Sequence, residues 1–438
     1  MRRSYPQIAQ ILFLTVSLFA TSLAQSPAPQ KRKKIKDFGS SVKRSKPDPA
    51  KEQPATEGVA ISAGDVIRVD TSLVSSALLV LDPKGNAITG LTAADFQIRE
   101  NGAPQTISHF YPGDNVNVPR TIVLIIEYSC GSSADLGDSF KAAKVLVDKL
   151  GPKDLMAIVT DDVEMVQDFT SDRKKLKQKL TQVYDRTRRD PVFRHRPYEP
   201  PRYGRGKAYS ALMATLKEAF TVEDIRPIII FQTAGGEAYL LRDSPLKLKI
   251  PEDLPADLLD GAELIAEQIR QARLNNPVEF SLDDVYRTAE KSRVTIYTVN
   301  PNIQYMGLKP DVQMAKMIAE RQERLRNSSV PGPQFAHERD LLLNRVQMKW
   351  DIEESVKVQS VLAEVASFTG GWTAFLEKPE QADAIYSRIF TDINQRYIVG
   401  YYPTNKQRDG NRRTIQIAVK GHPEYQVHGR LSYFAPGH

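Results

Sequence analysis

The feature that most constrains the fold is a series of short, mostly apolar runs separated by helical patterns. Residues 121–126, 227–231 and 294–299 are runs of this kind, as expected for strands that are buried on both faces. Between them, 138–150 and 209–220 carry apolar residues at helical spacing. This alternation predicts an α/β fold with a doubly wound, mostly parallel sheet of the Rossmann type, covered by helices on both faces.

A β-rich segment flanks this core on each side. In residues 61–115, Asp82-Pro83-Lys84-Gly85-Asn86 is a turn motif and Glu100-Asn101-Gly102 predicts a tight hairpin whose returning strand runs over 105–110. Residues 397–438 contain three strand patterns, at 397–403, 413–420 and 427–434. Small isolated sheets are marginally stable. We therefore expect the two segments to pair into one small β-sandwich, with a domain at 119–396 inserted between them.

Two stretches interrupt the core pattern. Residues 240–276 combine a loop with a helical pattern, and residues 301–350 contain a charged helical pattern followed by a Ser/Pro/Gly breaker at 328–333. We interpret both as peripheral insertions. The core helical pattern resumes at 358–368.

The beginning of the chain predicts export. Arg2 and Arg3 precede a short apolar run at 11–20, and Ser22-Leu23-Ala24 is a small-x-small cleavage site, so residues 1–24 are typical of a signal peptide. The run is short for a membrane span, although an uncleaved anchor is the alternative. The prediction is a secreted or periplasmic protein without a transmembrane span after cleavage. Residues 25–60 are rich in Pro and Lys and predict a disordered linker.

The positive charge is confined to this tail. The net charge is +7, of which residues 1–24 contribute +2 and residues 25–60 contribute +5, so the remainder is neutral. A neutral folded body disfavours a specific nucleic-acid binder. The single cysteine, Cys130, forms no internal disulfide and is interpreted as a small apolar residue at a strand end.

Three groups of residues resemble a known family, the VWFA-related domain described mainly from acidobacterial proteins. The first extends from Leu81-Asp82 through Gly90-Leu91-Thr92-Ala93-Ala94-Asp95-Phe96 to Glu100-Asn101-Gly102. The second is Asp168-Phe169-Thr170-Ser171-Asp172. The third is Thr369-Gly370-Gly371 with Tyr397-Ile398-Val399-Gly400-Tyr401. The resemblance covers nearly all of 65–436 and implies a von Willebrand factor A-like core, generally a binding and adhesion module.

The resemblance also implies where a metal-ion-dependent adhesion site would lie. Such a site uses Asp-x-Ser-x-Ser after the first strand, with a Thr and an Asp from later loops, because a hard divalent cation prefers oxygen ligands. Here the motif reads Glu127-Tyr128-Ser129-Cys130-Gly131, the Thr position aligns near Gly206, and the last Asp position holds Thr233. Only Ser129 matches.

We therefore expect a degenerate site without a tightly bound cofactor. Its remaining metal-type ligands are Glu127 and Ser129, and its binding face includes Gly131, Ser132 and Thr233. A rescued divalent-cation site that uses Glu127, Ser129 and Glu237 is the alternative.

An arginine-rich stretch precedes the helix at 207–220. Residues 185–206 carry a net charge of +4 and include Arg194, Arg196 and Arg202 among aromatic residues. Arginine forks bind carboxylate and phosphate groups directly. These arginines are candidate anion receptors in place of a metal, and a solvated insertion is the alternative.

The leading functional interpretation is an exported, non-enzymatic binding module whose partner is a protein. The histidines lack metal-ligand spacing, and no nucleophile-elbow or phosphate-loop motif is present in the sequence. The pair Asp161-Asp162 is interpreted as a turn, because adjacent strand residues point to opposite faces. Two alternatives remain open: an envelope module that binds an anionic polymer through 185–206, and a hydrolase with an unrecognised site. The sequence does not determine the oligomeric state.

Overall fold

The computed structural model describes residues 35, 37–42, 73–113, 119–128, 133–189, 207–221, 224, 226–241, single positions between 259 and 274, 280–327 and 338–436. All of these belong to one compact unit. The predicted signal peptide and most of the predicted insertion at 240–276 lie outside these residues. No helix in these ranges is both long and apolar enough to span a membrane.

The strands are β1 (Val74–Leu81), β2 (Phe96–Glu100), β3 (Ala103–Gln105), β4 (Ile107–Tyr111), β5 (Thr121–Ile126), β6 (Leu155–Thr160), β7 (Glu164–Thr170), β8 (Pro227–Gln232), β9 (Thr295–Asn300), β10 (Thr373–Phe375), β11 (Tyr397–Tyr401), β12 (Arg412–Val419), β13 (Gln426–His428) and β14 (Ser432–Phe434). The helices are α1 (Ser133–Asp148), α2 (Arg173–Arg189), α3 (Ala208–Glu218), α4 (Leu282–Lys291), α5 (Pro310–Asn327), α6 (Glu338–Phe368) and α7 (Ala382–Gln395).

A six-stranded sheet forms the centre of the molecule, with the strand order β10-β9-β8-β5-β6-β7. All neighbours pair in parallel except β6 and β7, which are antiparallel. All residues of β5, β8 and β9 are buried, as their continuous apolar sequences predict. Counted from β5, the order is 3-2-1-4-5-6, which is that of the doubly wound fold. The predicted α/β class with a mostly parallel sheet is confirmed.

Helices cover both faces of this sheet. In β5, Val123 and Ile125 pack with apolar residues of α3, α4 and α6. The alternate residues Ile122, Leu124 and Ile126 pack with α1, α2 and α7. The two-residue period of the strand thus divides the apolar side chains into two cores, one on each face.

The flanking segments form two four-stranded antiparallel sheets, with the orders β13-β1-β11-β4 and β14-β12-β2-β3. Each contains strands from both sides of the core in sequence. In the first, β1 lies between β13 and β11. In the second, β12 lies between β14 and β2. Apolar residues of both sheets form one common cluster that includes Leu78, Phe96, Tyr397 and Ile415.

Two strands expected to be continuous are each divided between these sheets. The returning strand at 105–110 is interrupted after Gln105, so that β3 pairs with β2 whereas β4 pairs with β11. The strand at 427–434 likewise divides into β13 and β14. Sheet corners are made where a strand leaves one sheet for another.

The helix expected at 358–368 is much longer in the structure. Helix α6 has 31 residues and begins at Glu338, within the predicted insertion at 301–350. Its first half packs on α5 through a small separate cluster of Tyr305, Met317, Met348 and Ile352. The prediction covered only the last part of this helix, because the residues that face the small cluster do not continue the apolar stripe that faces the sheet.

Part of the predicted linker contacts the core. Residues 37–42 form turns, and Phe38 is buried in the core on the α3 face of the sheet. The carboxylate of Glu218 accepts hydrogen bonds from the backbone N–H groups of Gly39 at 2.6 Å and Ser41 at 2.7 Å. Within the segment predicted as a disordered linker, Phe38 thus docks this stretch on the core, and Ile35 and Val42 pack partly buried against the same cluster. The other domain boundaries stay predictions.

Gly371 is predicted to be essential for stability, because a Cβ at this position would overlap the carbonyl group of Ile296 in β9. We expect Gly371→Ala to lower the free energy of unfolding by about 3 kcal/mol or more. The control is Gly236→Ala, where nothing lies within 4 Å of the added Cβ. Urea denaturation of both variants measures the difference, and equal stability of the two would contradict this packing.

Candidate functional site

Four polar side chains meet where strands β5, β6 and β8 end. Glu127 directly follows β5, Asp161 follows β6, and Thr233 and Glu237 follow β8. Strand β5 is the point at which the strand order reverses, with β6 on one side and β8 on the other. In open α/β sheets, ligands bind outside the carboxyl ends of the strands at such a switch point. The position alone marks this edge as the candidate site.

Glu127 ties the end of β5 to the loop after β8. Its Oε2 accepts hydrogen bonds from Thr233 Oγ1 and from the backbone N–H of Ala234 at 2.7 Å. Thr233 Oγ1 in turn accepts from the N–H of Gly235 at 2.9 Å. Gly235 has a φ of +76°, which glycine adopts without steric cost. The carboxylate therefore fixes the conformation of the loop that leads to Glu237.

Glu237 holds the first turn of α3. Its Oε2 accepts a hydrogen bond from the backbone N–H of Ala208, and the N–H of Tyr209 also bonds to this carboxylate. The first N–H groups of a helix have no partner within the helix, and the partial positive charge there favours a carboxylate. The carbonyl of Asp161 accepts from the N–H of Lys207 at 2.7 Å, so the ends of β6, β8 and α3 are joined.

The three carboxylates converge. One oxygen each of Glu127, Asp161 and Glu237 lies within 4.8 Å of the others, and the exposed fractions of these residues are 6%, 0% and 4%. Burial, followed by the negative charges of Glu127 and Asp161, raises the pKa of Glu237 well above its usual value. Glu237 Oε1 makes no hydrogen bond to the described part of the chain. Of the three carboxyl groups, Glu237 is therefore the one whose environment most clearly favours the protonated form.

The chemistry of this set suits a hard divalent cation, for which carboxylate oxygens are preferred ligands. In the described residues these three side chains are the only grouping of this kind. Oε2 of Glu127 and Oε2 of Glu237 already accept hydrogen bonds from the loops, whereas Glu237 Oε1 makes no hydrogen bond to the described residues.

An exposed rim continues outward from the buried carboxylates. The backbone N–H of Tyr128 donates to Asp161 Oδ1 at 3.2 Å, and its hydroxyl donates to Asp162 Oδ2 at 2.8 Å. The guanidinium of Arg186 lies over the Tyr128 ring at 5.6 Å and donates to Glu164 Oε2 at 3.1 Å. We call Tyr128, Asp162, Glu164 and Arg186 the rim.

The turn inside this rim is strained. Val163 has a φ of +61°, which is rare for a β-branched residue. Its side chain is buried in the core, and that burial holds the conformation. Strain of this kind is concentrated at functional sites.

The structure brings together Glu127, Thr233 and Glu237, three of the residues that the sequence singled out. The hydroxyl group of Thr233 donates a hydrogen bond to Glu127. Ser129, Gly131, Ser132, Arg194, Arg196 and Arg202 lie outside the described residues.

Sequence reasoning missed Asp161. The interpretation of Asp161-Asp162 as a plain turn is incomplete, because Asp161 is fully buried in the cluster while Asp162 is exposed on the rim. The available signal was the position of Asp161 directly after the strand that neighbours β5.

No family model matches the sequence, and no curated protein matches it. Among solved structures, an aerotolerance-related membrane protein of Bacteroides fragilis is similar with 12% identity and a TM-score of 0.29, over 64% of this chain and 99% of the other. The manganese-loaded TRAP protein of Plasmodium vivax is similar with 11% identity and a TM-score of 0.26, over 73% and 96%. A von Willebrand factor type A protein of Catenulispora acidiphila is similar with 10% identity and a TM-score of 0.27, over 84% and 75%.

Because these TM-scores are low, the fold of the core is identified from its own strand order. That order, with an antiparallel β7 at one edge and the switch point at β5, agrees with the von Willebrand factor A-like core that the sequence motifs predict.

Glu237→Gln is expected to stabilise the protein at neutral pH. A carboxyl group whose pKa is raised by folding loses stability as pH rises above its unfolded pKa of about 4.3. A glutamine escapes that loss and keeps an oxygen for the N–H groups of α3. Thermal unfolding should therefore show equal melting temperatures of variant and native protein near pH 4 and a more stable variant at pH 7.5.

The matched control is Glu237→Ala, which also escapes that loss but removes the helix cap, so it should be less stable than Glu237→Gln by about 1 kcal/mol at both pH values. Each melt is repeated with Mn²⁺ and with Ca²⁺. A saturable rise in the melting temperature of the native protein that Glu237→Gln abolishes would mean that a cation, not a proton, neutralises the cluster.

Proposed function

We propose that this chain is an exported, non-enzymatic binding module that takes a protein partner at the carboxyl edge of its parallel sheet. The observation that carries the proposal is the rim of Tyr128 and Arg186, held beside a buried carboxylate cluster at the switch point. The solved structures named above are similar to this chain in fold only.

The rim has the composition of a protein-contact surface. Tyrosine and arginine are the residues that most often dominate binding energy at protein interfaces. Here the two side chains are already ordered by their contacts with each other, with Asp162 and with Glu164. Ordering before contact lowers the entropy lost on binding. A partner would meet a surface that needs little rearrangement.

The same geometry argues against catalysis. Within the described residues, Glu127, Asp161 and Glu237 are the carboxylates that converge at this edge, and all three are buried. Their oxygens bind the backbone N–H groups that hold the loops. A general acid or base must reach the reacting atom of a substrate within hydrogen-bond distance. These side chains act on the loops instead, as parts of a degenerate metal-ion-dependent adhesion site.

The remaining parts of the proposal concern architecture and location. The two antiparallel sheets share one apolar cluster, which supports a small β-sandwich built from the flanking segments. Export follows from the signal peptide predicted at 1–24. The alternatives, an anionic polymer bound through 185–206 and an unrecognised hydrolase, stay predictions. Arg186, the arginine of that stretch whose side chain the structure describes, is engaged with Glu164.

Photo-crosslinking tests the proposed face directly. A benzophenone amino acid placed at Tyr128 should capture a discrete protein in cells that produce the full chain, because the rim is the contact surface. Arg186→Glu in the same chain should reduce the captured product about tenfold or more, since a contact at an interface hot spot is lost.

The control places the same photoreactive group at Tyr402, which is exposed on the β-flank. The proposal is wrong if both positions give the same products, or if Arg186→Glu leaves capture unchanged. Salt-sensitive retention of the protein on an anionic resin, with no protein captured at Tyr128, would favour the polymer alternative.

A further inference from the structure

A second site lies at the opposite end of the parallel strands. A cavity opens between the amino ends of β8 and β9, at Pro227 and Thr295, and the flanking strands β1 and β11, at Ser76 and Ile398. It leaves about 40 Å³ for the centres of water-sized spheres, whereas one water needs roughly 10–15 Å³. The space therefore suits a few waters or one small ion.

Four arginines line this cavity: Arg226, Arg293, Arg396 and Arg430. Arg396 is neutralised by Asp392, with Nη2 at 2.8 Å from Oδ2. Arg430 is buried, and this burial, with the nearby charge of Arg293, lowers its pKa to about 10 although Glu290 acts in the opposite direction. Glu290 is also shared with Arg412, which donates to it at 2.7 Å. Positive charge thus exceeds negative charge around the cavity.

Of the four arginines, Arg226 has the most buried donor atoms without a hydrogen-bond partner in the described residues. Its exposed fraction is 6%, and its Nε and Nη1 find no hydrogen-bond partner within the described ranges. Its Nη2 makes a single long contact of 3.5 Å with the carbonyl of Arg396. Burial, followed by the charge of Arg120, lowers the pKa of Arg226. A buried guanidinium with two unused donors costs several kcal/mol unless something accepts from it.

We propose that this cavity binds a small inorganic oxyanion, phosphate or sulfate, with Arg226 as its principal ligand. The Nε and Nη donors of a guanidinium match two oxygens of a tetrahedral anion. The negative charge would offset the excess of arginine charge around it. Arg293 is exposed while lining the same cavity, so the ion has a route from solvent.

The position gives such an ion a structural role. Arg226 and Thr295 belong to the αβ core, whereas Ser76 and Arg430 belong to the flanking sheets. An oxyanion bound between them would join the core to the flanks at the end of the sheet remote from the rim. The site is independent of the proposed partner-binding function, and either can fail without the other.

The test is calorimetric titration of the full chain with sodium phosphate and with sodium sulfate, in a chloride buffer at pH 7. We expect saturable one-to-one binding, which Arg226→Gln weakens about tenfold or more because a charged, two-pronged contact is lost. Arg226→Lys, which keeps the charge and loses the fork, should bind with intermediate affinity. A phosphomonoester such as glycerol 3-phosphate should bind more weakly than free phosphate, because the cavity is small.

Thermal unfolding supplies the second readout. Without phosphate, Arg226→Gln should melt at or above the temperature of the native protein, because a buried charge without a partner is removed. Phosphate should raise the melting temperature of the native protein to a plateau and leave that of the variant nearly unchanged. The control, Arg287→Gln, removes one positive charge from an exposed ion pair with Asp283 and should keep the full response.

Several results would overturn the proposal. Phosphate and sulfate stabilise proteins generally by exclusion from the surface, and that effect would grow without a plateau and equally in every variant. Equal responses of the native protein and Arg226→Gln, no saturable heat, or binding of the phosphomonoester alone would each show that the cavity holds no free oxyanion.

Discussion

Hydrogen bonds from backbone N–H groups to buried carboxylates hold the loop edge of the parallel sheet together. Glu127 fixes the loop after β8, Glu237 fixes the start of α3, and Asp161 fixes Tyr128. An oxygen-rich switch point in this fold can bind a cation. In this chain the same kind of oxygens are turned inward and serve the loops. The rim is ordered because the residues beneath it are fixed.

The opposite end of the sheet is organised by arginine. Arg120 forms a buried ion pair with Asp154 at the start of β6, and Arg396 forms another with Asp392 at the end of α7. Arg396 also donates to the carbonyl of Ala77 in β1 at 3.3 Å, which links core and flank. At this end of the strands buried arginines and buried carboxylates occur together, whereas three buried carboxylates converge at the other end.

The sequence predicted the core well because its signals are local. The run Thr121–Ile126, with five consecutive apolar residues after the threonine, predicts a buried strand, and its position directly before Glu127 placed that side chain correctly. The sheet corners near Gln105 and Gly429 were not predictable in this way, since they depend on pairing with strands far away in sequence, β11 for β4 and β1 for β13. Asp161 and Arg226 were missed for a related reason. Their importance depends on neighbours more than 30 residues distant in sequence, which no local pattern reports.

The pairing of β1 with β11 has a consequence for how the chain reaches its native state. Val74 lies opposite Tyr401, so strands separated by more than 300 residues share one ladder. Contacts between such distant residues form slowly, because a long loop must close first. During synthesis or translocation β1 emerges long before its partner, with its edge groups open to association with other chains. A chaperone that covers this early strand would suit a protein that can complete its first sheet only at its last strands.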